Sequence, residues 1–349
     1  MPEPHAETST LAAAPHSAPS PSVLVVLLNW NSAPETIACL RCVLRMAYPN
    51  FSVLLIDNGS TDDSAKHLRP LASNRVALRE LPSNTGFTGG ANLGFRYALE
   101  HGHDFVWLLN NDTLTNSCTL SSLVHFAAAD PTLGLVSPRI ASLQEPEKQL
   151  NLGGLLRPEV PAFELTRDLE RATLWARTDP AHALLMGTAL LVRTSLLRRI
   201  GLFDDRLFAY WEDTDLSLRA TRAGFRNAVD FSSVVLHHEK DATLGANDMK
   251  PHYWYYMARN ETRFWRKHVR GLALAKALWW AYKFNLRNLS LLARNEASQH
   301  AVISGLWDGW IGRSGPFAAH RRAPVPVAAG IRAHVRRHER QNAHAHALS

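Results

Sequence analysis

The segment Phe105-Val106-Trp107-Leu108-Leu109-Asn110-Asn111-Asp112 joins a run of apolar residues to a polar, acidic end. The apolar run from Phe105 to Leu109 is short, and it predicts a strand that is buried on both faces. Ligands of open α/β sheets bind at the carboxyl ends of the strands. Asp112 is therefore predicted to lie at the open edge of such a sheet.

Further strands are predicted before Phe105. Apolar runs at 23–28, 51–56 and 76–81 end in polar residues or turn signals, and helix patterns separate these runs. Alternation of strand and helix indicates a mostly parallel sheet with helices on both faces. The predicted fold class is therefore α/β, with a Rossmann-like central sheet.

Composition divides the chain into parts. Residues 1–22 are rich in Ala, Pro and Ser, without a basic segment followed by an apolar one, so we expect a disordered leader rather than a secretory signal. Residues 23–262 form the predicted α/β domain, in which 140–185 predict loops and short strands. Residues 263–349 predict a basic helical region with a disordered end. A hydrophobic fraction of 46% and a mean hydropathy of −0.17 fit a globular enzyme.

Positive charge is concentrated in the C-terminal region. The whole chain has a net charge of +7, and 15 Lys and Arg stand against three acids between Arg263 and Arg340. This positive charge can bind anionic lipid, bind nucleic acid, or simply form a surface exposed to solvent. Nucleic acid is not expected as the partner, because no recognised nucleic-acid motif accompanies the charge. Tryptophans are also frequent here, and indole rings favour the membrane interface. They lie at positions 265, 279, 280, 307 and 310.

We therefore expect a cytoplasmic protein that attaches peripherally to the inner face of the cytoplasmic membrane through its C-terminal region. No run of 18 uncharged apolar residues predicts a membrane-spanning helix. A helical interface between two copies of the chain, which would make a homo-oligomer, is the alternative use of this region.

Polar residues follow the predicted strands. Asp57 can bind a base or ribose, or it can form a turn through its side chain. Asp112 can cap a helix or bind a hard cation, which prefers oxygen ligands and often shares them with substrate phosphates. The segment Asn84-Thr85-Gly86-Phe87-Thr88-Gly89-Gly90 does not fit the G-x-G-x-x-G pattern. It predicts either a tight turn or a loop that lets the backbone approach a nucleotide.

A second acidic segment, Tyr210-Trp211-Glu212-Asp213-Thr214-Asp215-Leu216, has three acids within four residues. Asp213 or Thr214 can cap a helix, but capping explains one acid and not three. The aromatic residues before them predict a partly desolvated cleft, in which the pKa of a carboxylate rises towards that of a useful base. His237 and His238 follow another apolar run, where they are either structural residues or metal ligands.

In this order, the motifs resemble those of inverting glycosyltransferases of family 2, in the rhamnosyltransferase-like branch. The matching segments, within about residues 23–265, are LNWN at 28–31, DNGSTD at 57–62, NTGFTGGANLG at 84–94, LNND at 109–112, GLFD at 201–204, WEDTDL at 211–216 and YYMARN at 255–260. The resemblance implies a GT-A fold, a nucleotide-sugar donor and a divalent metal ion, Mg2+ or Mn2+. The favoured donor is dTDP-L-rhamnose, with UDP- and GDP-sugars as alternatives, and the expected acceptor is a glycan or lipid-linked glycan.

The resemblance also implies roles for individual residues. Asp213 matches the catalytic base, with Trp211 and Glu212 on the side of the acceptor and the donor sugar. Asp112 matches the last acid of the family's D-x-D motif, and either His237 or His238 completes the metal shell. The residues implied to bind the nucleotide sugar are Asn29, Asp57, Asn84, Gly86, Phe87, Gly90, Asn92 and Asn111.

The predicted function is transfer of a sugar to a hydroxyl group by single displacement, with inversion. One alternative is a catalytically weak or inactive protein that keeps the GT-A fold and binds nucleotide sugars. Its best support is that the first positions of the D-x-D motif are Asn110 and Asn111. The other alternative is a nucleotidyltransferase, which is disfavoured because no basic, Gly-rich loop follows the first strand to hold a triphosphate.

Overall fold

A computed structural model of the chain describes residues 20–159, 162–238, 249–292 and 295–347. Most of the predicted leader, residues 1–19, lies outside this range. The strands are β1 (Val23–Asn29), β2 (Phe51–Asp57), β3 (Val76–Glu80), β4 (Phe105–Asn110), β5 (Thr113–Thr115), β6 (Leu133–Ser142), β7 (Gln149–Asn151), β8 (Gly154–Arg157), β9 (Ala162–Leu165), β10 (Ala183–Leu184), β11 (Ala189–Arg193) and β12 (Arg226–His237). The α-helices are α1 (Ala33–Leu44), α2 (Ser64–Leu68), α3 (Gly86–Glu100), α4 (Thr119–Ala129), α5 (Leu169–Thr178), α6 (Thr194–Ile200), α7 (Glu212–Arg222), α8 (Pro251–His268), α9 (Gly271–Leu291), α10 (Glu296–Ile311) and α11 (Val325–Ala347).

The central sheet has the strand order β3-β2-β1-β4-β11-β6-β12-β5, and β7 pairs with β6. Strands β3, β2, β1 and β4 are parallel, as are β6 and β12, whereas β11 and β5 run antiparallel to their neighbours. The predicted α/β class with a mostly parallel sheet is therefore confirmed. A small second sheet has the order β10-β8-β9.

Both faces of the central sheet are covered, which explains why its strands are apolar without interruption. Val23, Val25 and Leu27 of β1 join one buried cluster with residues of α1 and α4. Leu24 and Val26 join a second cluster with residues of α3, α6 and α7. The alternation of side chains along a strand therefore gives each layer of helices its own core.

The glycine-rich segment after β3 is helical rather than a loop. Helix α3 begins at Gly86, and Gly90 lies in its first turns. A Cβ atom at Gly90 would lie 2.4 Å from Cδ2 of Leu28 on β1. Gly90 therefore lets α3 approach the sheet, and its contact with the nucleotide stays a prediction. The irregular middle region also contains a helix, α5, where only loops and short strands are predicted.

The C-terminal helices continue directly from the α/β domain. The predicted domain boundary between residues 262 and 263 falls inside α8. Residues of α8, α9, α10 and α11 share one buried cluster. Helix α11 runs to Ala347, where the composition predicts a disordered end. Within the described residues, no helix combines the length and apolar character that crossing a membrane requires.

Candidate active site

A cavity of about 620 Å3 lies at the carboxyl ends of β1, β2 and β4. This volume is in the range of small-molecule sites. Its lining residues come from these strand ends, from the start of α3, from the segment before α7, and from α8 and the segment that follows α10. They are Leu28, Asn29, Trp30, Ser32, Asn58, Asn84, Gly86, Phe87, Asn111, Asp112, Phe208, Ala209, Tyr210, His252, Tyr256, Pro316 and Phe317.

A chain of buried and partly buried hydrogen bonds connects the strand ends beneath the cavity. Asn29 Nδ2 donates to Asp57 Oδ1 (2.8 Å), and Thr36 Oγ1 donates to Asn29 Oδ1 (2.8 Å). Asn111 Nδ2 in turn donates to Thr36 Oγ1 (2.7 Å). Asp57 is only 3% exposed and does not line the cavity. The carboxylate of Asp57 therefore orients Asn29, which does line it.

Asn58, a residue that the sequence analysis did not single out, fixes the turn before α3. Its Nδ2 donates to the carbonyl of Gly86 (2.9 Å), and its Oδ1 accepts from the backbone N–H of Thr85 (3.1 Å). Asn84 Oδ1 accepts from the N–H of Gly86 (2.8 Å). These bonds place Asn84, Gly86 and Phe87 at the cavity.

Gly86 combines a positive φ with a close contact, and we expect its replacement by Ala to destabilise the fold. Its φ is +78°, and an added Cβ would lie 2.4 Å from the carbonyl oxygen of Phe208. Gly102 is a matched control, because its φ is +71° but no heavy atom lies within 4 Å of an added Cβ. Gly102→Ala should cost about 1 kcal/mol and Gly86→Ala about 1–3 kcal/mol more, measured by urea unfolding. Equal losses would contradict the close contact.

Asp112 and His237 form a pair at the edge of the cavity. His237 Nε2 lies 3.2 Å from Asp112 Oδ1, whereas the contact from His238 is between its backbone N–H and the carbonyl of Asp112 (3.0 Å). His237 is therefore the histidine whose ring reaches this carboxylate. Within the described ranges, no group of three or more His, Cys, Asp or Glu side chains could hold a metal ion.

The segment between the cavity and α7 has an unusual backbone. Phe208, Tyr210 and Trp211 all have positive φ, at 66°, 66° and 73°. Positive φ is costly for bulky residues and persists only where surrounding contacts impose it. Asn260 Nδ2 provides such contacts, since it lies 2.9, 2.7 and 2.9 Å from the carbonyl oxygens of Leu207, Ala209 and Tyr210.

Arg259 supports the same segment from the neighbouring position. It is fully buried, with its guanidinium 4.9 Å from the ring centroid of Tyr256. Arg259 Nη2 donates to the carbonyl of Leu207 (2.5 Å), and Nη1 donates to that of Gly315 (2.6 Å). Arg259 thereby joins two loops that border the cavity.

Glu212 and Asp213 form a buried pair of acids in the first turn of α7. Burial and the charge of Asp213 raise the pKa of Glu212 well above its usual range. Burial also raises the pKa of Asp213, although hydrogen bonds from the N–H groups of Gly187 (2.8 Å) and Thr214 (2.6 Å) stabilise its charged form. The pair therefore favours a protonated Glu212 beside an ionised Asp213, which is able to accept a proton.

Asp215 differs from these two acids because Arg219, Lys267 and His268 surround its carboxylate. Burial alone would raise its pKa, but His268, Arg219 and Lys267 lower it to about 2. Lys267 Nζ and His268 Nε2 both lie 2.7 Å from Asp215 Oδ1. Asp215 therefore links α7 to the end of α8. This structural role explains the presence of one of the three clustered acids.

Other predicted site residues lie outside the cavity lining. Asn92 is buried, and its amide bonds to the backbone of Phe203 at both ends, so it joins α3 to the segment before α7. Trp211 is 5% exposed and packs against Phe264, with ring centroids 5.1 Å apart. Both side chains therefore have structural contacts, and their contacts with the donor or acceptor stay predictions. Glu212 and Asp213 follow the lining residue Tyr210 in the chain but do not themselves line the cavity.

Comparison with known proteins identifies the family. A profile described as Glycosyl transferase family 2 matches residues 22–199, just over half of the 349 residues. The chain is 26% identical over 277 residues to an N-acetylglucosaminyl-diphospho-decaprenol L-rhamnosyltransferase of Mycobacterium tuberculosis, covering 70% of this chain and 87% of the relative. It is 27% identical over 241 residues to galactofuranosyltransferase GlfT1 of the same organism, covering 66% and 73%. The chain therefore belongs to glycosyl transferase family 2.

A solved structure also has a similar fold. It is the mannosyltransferase PcManGT from Pyrobaculum calidifontis in complex with GDP-Man and Mn2+, with a TM-score of 0.53 and 19% identity, covering 90% of this chain and 79% of that chain. At this identity the likeness concerns the fold alone. Together with the family match, it confirms the GT-A fold and the glycosyltransferase class that the motifs predict.

Proposed function

We propose that this family 2 glycosyltransferase binds a nucleotide-diphosphate sugar in the cavity at the strand ends and transfers the sugar to an acceptor hydroxyl with inversion. The observation that carries the proposal is that the segment lining the cavity leads directly into the buried acidic pair at the start of α7. Phe208, Ala209 and Tyr210 line the cavity, and Glu212 and Asp213 follow as a buried acidic pair. The candidate base Asp213 therefore lies three residues along the chain from Tyr210 of the cavity lining.

In this reaction Asp213 takes the proton of the acceptor hydroxyl as the hydroxyl oxygen attacks the anomeric carbon. The bond between that carbon and the diphosphate oxygen breaks, and the nucleoside diphosphate leaves with the electron pair on the opposite face. Hydrogen bonds from Gly187 and Thr214 hold the carboxylate of Asp213 in place. A general base typically contributes about 10²–10⁴-fold to such a rate.

For the donor we propose dTDP-L-rhamnose, and for the acceptor a glycan or lipid-linked glycan. The support is the 26% identity to a relative named as a rhamnosyltransferase of a diphospho-decaprenol acceptor. UDP- and GDP-sugars, which the motif resemblance also allows, are the alternative donors. A different transferred sugar is a further alternative, since another relative is named as a galactofuranosyltransferase.

A donor panel tests this function directly. Purified protein is incubated with dTDP-, UDP- and GDP-sugars and Mg2+ or Mn2+, and both thermal stabilisation and release of nucleoside diphosphate are measured. A ligand that binds only the folded state raises its stability. We expect release with dTDP-rhamnose when an acceptor glycan is present. Stabilisation without release would indicate a binding protein, and release of pyrophosphate from a nucleoside triphosphate would indicate a nucleotidyltransferase.

We also propose that Asp112 and His237 hold a divalent cation together with the donor's diphosphate. A carboxylate oxygen and an imidazole nitrogen 3.2 Å apart suit such an ion, which often keeps substrate phosphates and water as its other ligands. When bound, the ion would neutralise negative charge on the departing diphosphate.

Removal of the metal is accordingly expected to abolish transfer. Activity should disappear in excess EDTA and return with Mg2+ or Mn2+. His237→Gln should raise the Mn2+ concentration needed to stabilise the protein against heat in the presence of nucleoside diphosphate, whereas the exposed His101→Gln control should not. Full activity in EDTA would remove Asp112 and His237 from this role.

For location we propose that the enzyme works on the cytoplasmic side of the membrane and attaches to it peripherally. The support is the basic, Trp-containing C-terminal region together with a lipid-linked acceptor in the name of the relative. Association with a second copy of the chain is the alternative use of the same region.

A further inference from the structure

One face of α9 presents large apolar side chains and cations to solvent. Its exposed apolar residues have half or more of their surface accessible, and they are Leu272, Trp279, Trp280, Phe284 and Leu291. The exposed cations interleaved with them are Lys276, Lys283 and Arg287. These positions recur every three or four residues along α9, so they form one continuous stripe. We call this stripe the α9 surface.

Packing of the opposite face of α9 keeps the α9 surface exposed to solvent. Ala277, Ala281, Asn285 and Leu289 are buried against the neighbouring helices. Asn285 Nδ2 also donates to Glu261 Oε2 of α8 (3.1 Å). The helix therefore cannot rotate to bury its tryptophans without breaking this packing.

The composition of the α9 surface identifies the kind of partner that would cover it. Contiguous exposed apolar area of this kind marks an interaction site. Helix α9 contains no Asp or Glu at all, so the partner should be anionic. A second copy that met this face through a two-fold axis would place the same cations against each other, because such an interface joins identical patches.

We propose that the α9 surface binds the interface of an anionic phospholipid bilayer. Trp279 and Trp280 would lie at the level of the headgroups, where indole rings are favoured. Lys276, Lys283 and Arg287 would contact lipid phosphates, as in interfacial amphipathic helices. The inference rests on the proposed membrane attachment and names the surface that provides it.

This binding mode would place the active site beside the bilayer. Helix α9 packs on α8, which contributes His252 and Tyr256 to the cavity lining. One packed helix therefore separates the α9 surface from the cavity. A lipid-linked acceptor could then reach the cavity while its lipid remains in the membrane.

The test uses the full chain and measures sedimentation with vesicles of phosphatidylcholine alone and of phosphatidylcholine with phosphatidylglycerol. We expect binding to the anionic vesicles that weakens as salt is added. The triple variant Lys276→Gln, Lys283→Gln, Arg287→Gln should bind on the order of 100-fold more weakly, at about fivefold for each cation. The double variant Trp279→Ser, Trp280→Ser should bind at least about tenfold more weakly.

Control variants remove charge or an exposed apolar side chain elsewhere on the protein. Arg41→Gln, Arg45→Gln, Lys66→Gln removes equal charge from exposed positions on α1, its C-cap and α2. Leu174→Ser removes an exposed apolar side chain from α5. Neither control should weaken vesicle binding more than about twofold. All variants should retain the wild-type melting temperature, because every substituted side chain is exposed.

The outcomes separate this inference from the proposed function. Absence of binding by the full chain overturns both the α9 surface and the membrane attachment, whereas release of nucleoside diphosphate tests transfer independently. Binding that the α9 variants retain, or that the charge control loses equally, overturns the α9 surface alone. Conversion of a dimer to a monomer by the Trp variant, seen by light scattering, would instead assign this surface to self-association and overturn the proposal.

Discussion

Replacement of Asp213 by Asn is expected to lower kcat by about 10²–10⁴-fold, because the amide cannot accept the proton of the acceptor hydroxyl. Asn keeps the size of Asp, and Asp213 does not line the cavity. Donor affinity should therefore remain close to that of the wild type. The measurements are kcat for sugar transfer and, separately, Kd for the nucleotide sugar.

The pH dependence of the wild type adds a second readout. Burial raises the pKa of Asp213, and this group must be deprotonated to act as a base. Transfer should therefore decline as the pH falls through the raised pKa, at a higher pH than the value of about 3.9 for an ordinary Asp would give. The pair should titrate in two coupled steps.

Glu212→Gln is the matched comparison, since it changes a buried carboxyl to an amide one position away. A neutral amide resembles the protonated Glu212 that burial favours, so this variant should lose less kcat than Asp213→Asn. A greater loss in Glu212→Gln would reverse the two roles. Near-normal turnover in Asp213→Asn would exclude Asp213 as the catalytic base.

Local sequence predicted those parts of the site that depend on strand ends. Asn29, Asn111 and Asp112 each lie at or just after an apolar strand, and adjacent parallel strands bring such positions together at one edge. The glycine-rich segment was predicted less well, because glycine has a low helix propensity. The close approach of Leu28 to Gly90 and of Phe208 to Gly86 leaves no room for a larger residue at either position of this helix.

The rest of the site depends on contacts between residues that are distant in sequence. Trp211 precedes the acidic pair, which suggested a cleft, but Phe163, Phe264 and Trp265 enclose its ring. Likewise, the local cluster of acids gives no indication that Lys267 neutralises Asp215. Nothing in the short-range pattern identifies such partners.

Replacement of Asn260 by Ala is expected to lower kcat by about 10²-fold, because small displacements of a catalytic group have effects of this size. The variant loses the amide that contacts the carbonyls of Leu207, Ala209 and Tyr210. Without it, the positive-φ backbone that leads to Asp213 should relax. Unfolding free energy should also fall, by about 2–4 kcal/mol, because buried carbonyls lose hydrogen bonds.

Asn285→Ala is the matched control that separates positioning from stability. Asn285 is 2% exposed, and its amide bonds to Glu261 Oε2 and to the carbonyl of Ala281, away from the segment that leads to Asp213. It should lose comparable stability but keep kcat when assayed well below its melting temperature. If Asn260→Ala also keeps kcat under those conditions, Asn260 stabilises the fold without positioning the acids. A loss of kcat confined to Asn260→Ala, with donor KM nearly unchanged, is the result that the backbone geometry predicts.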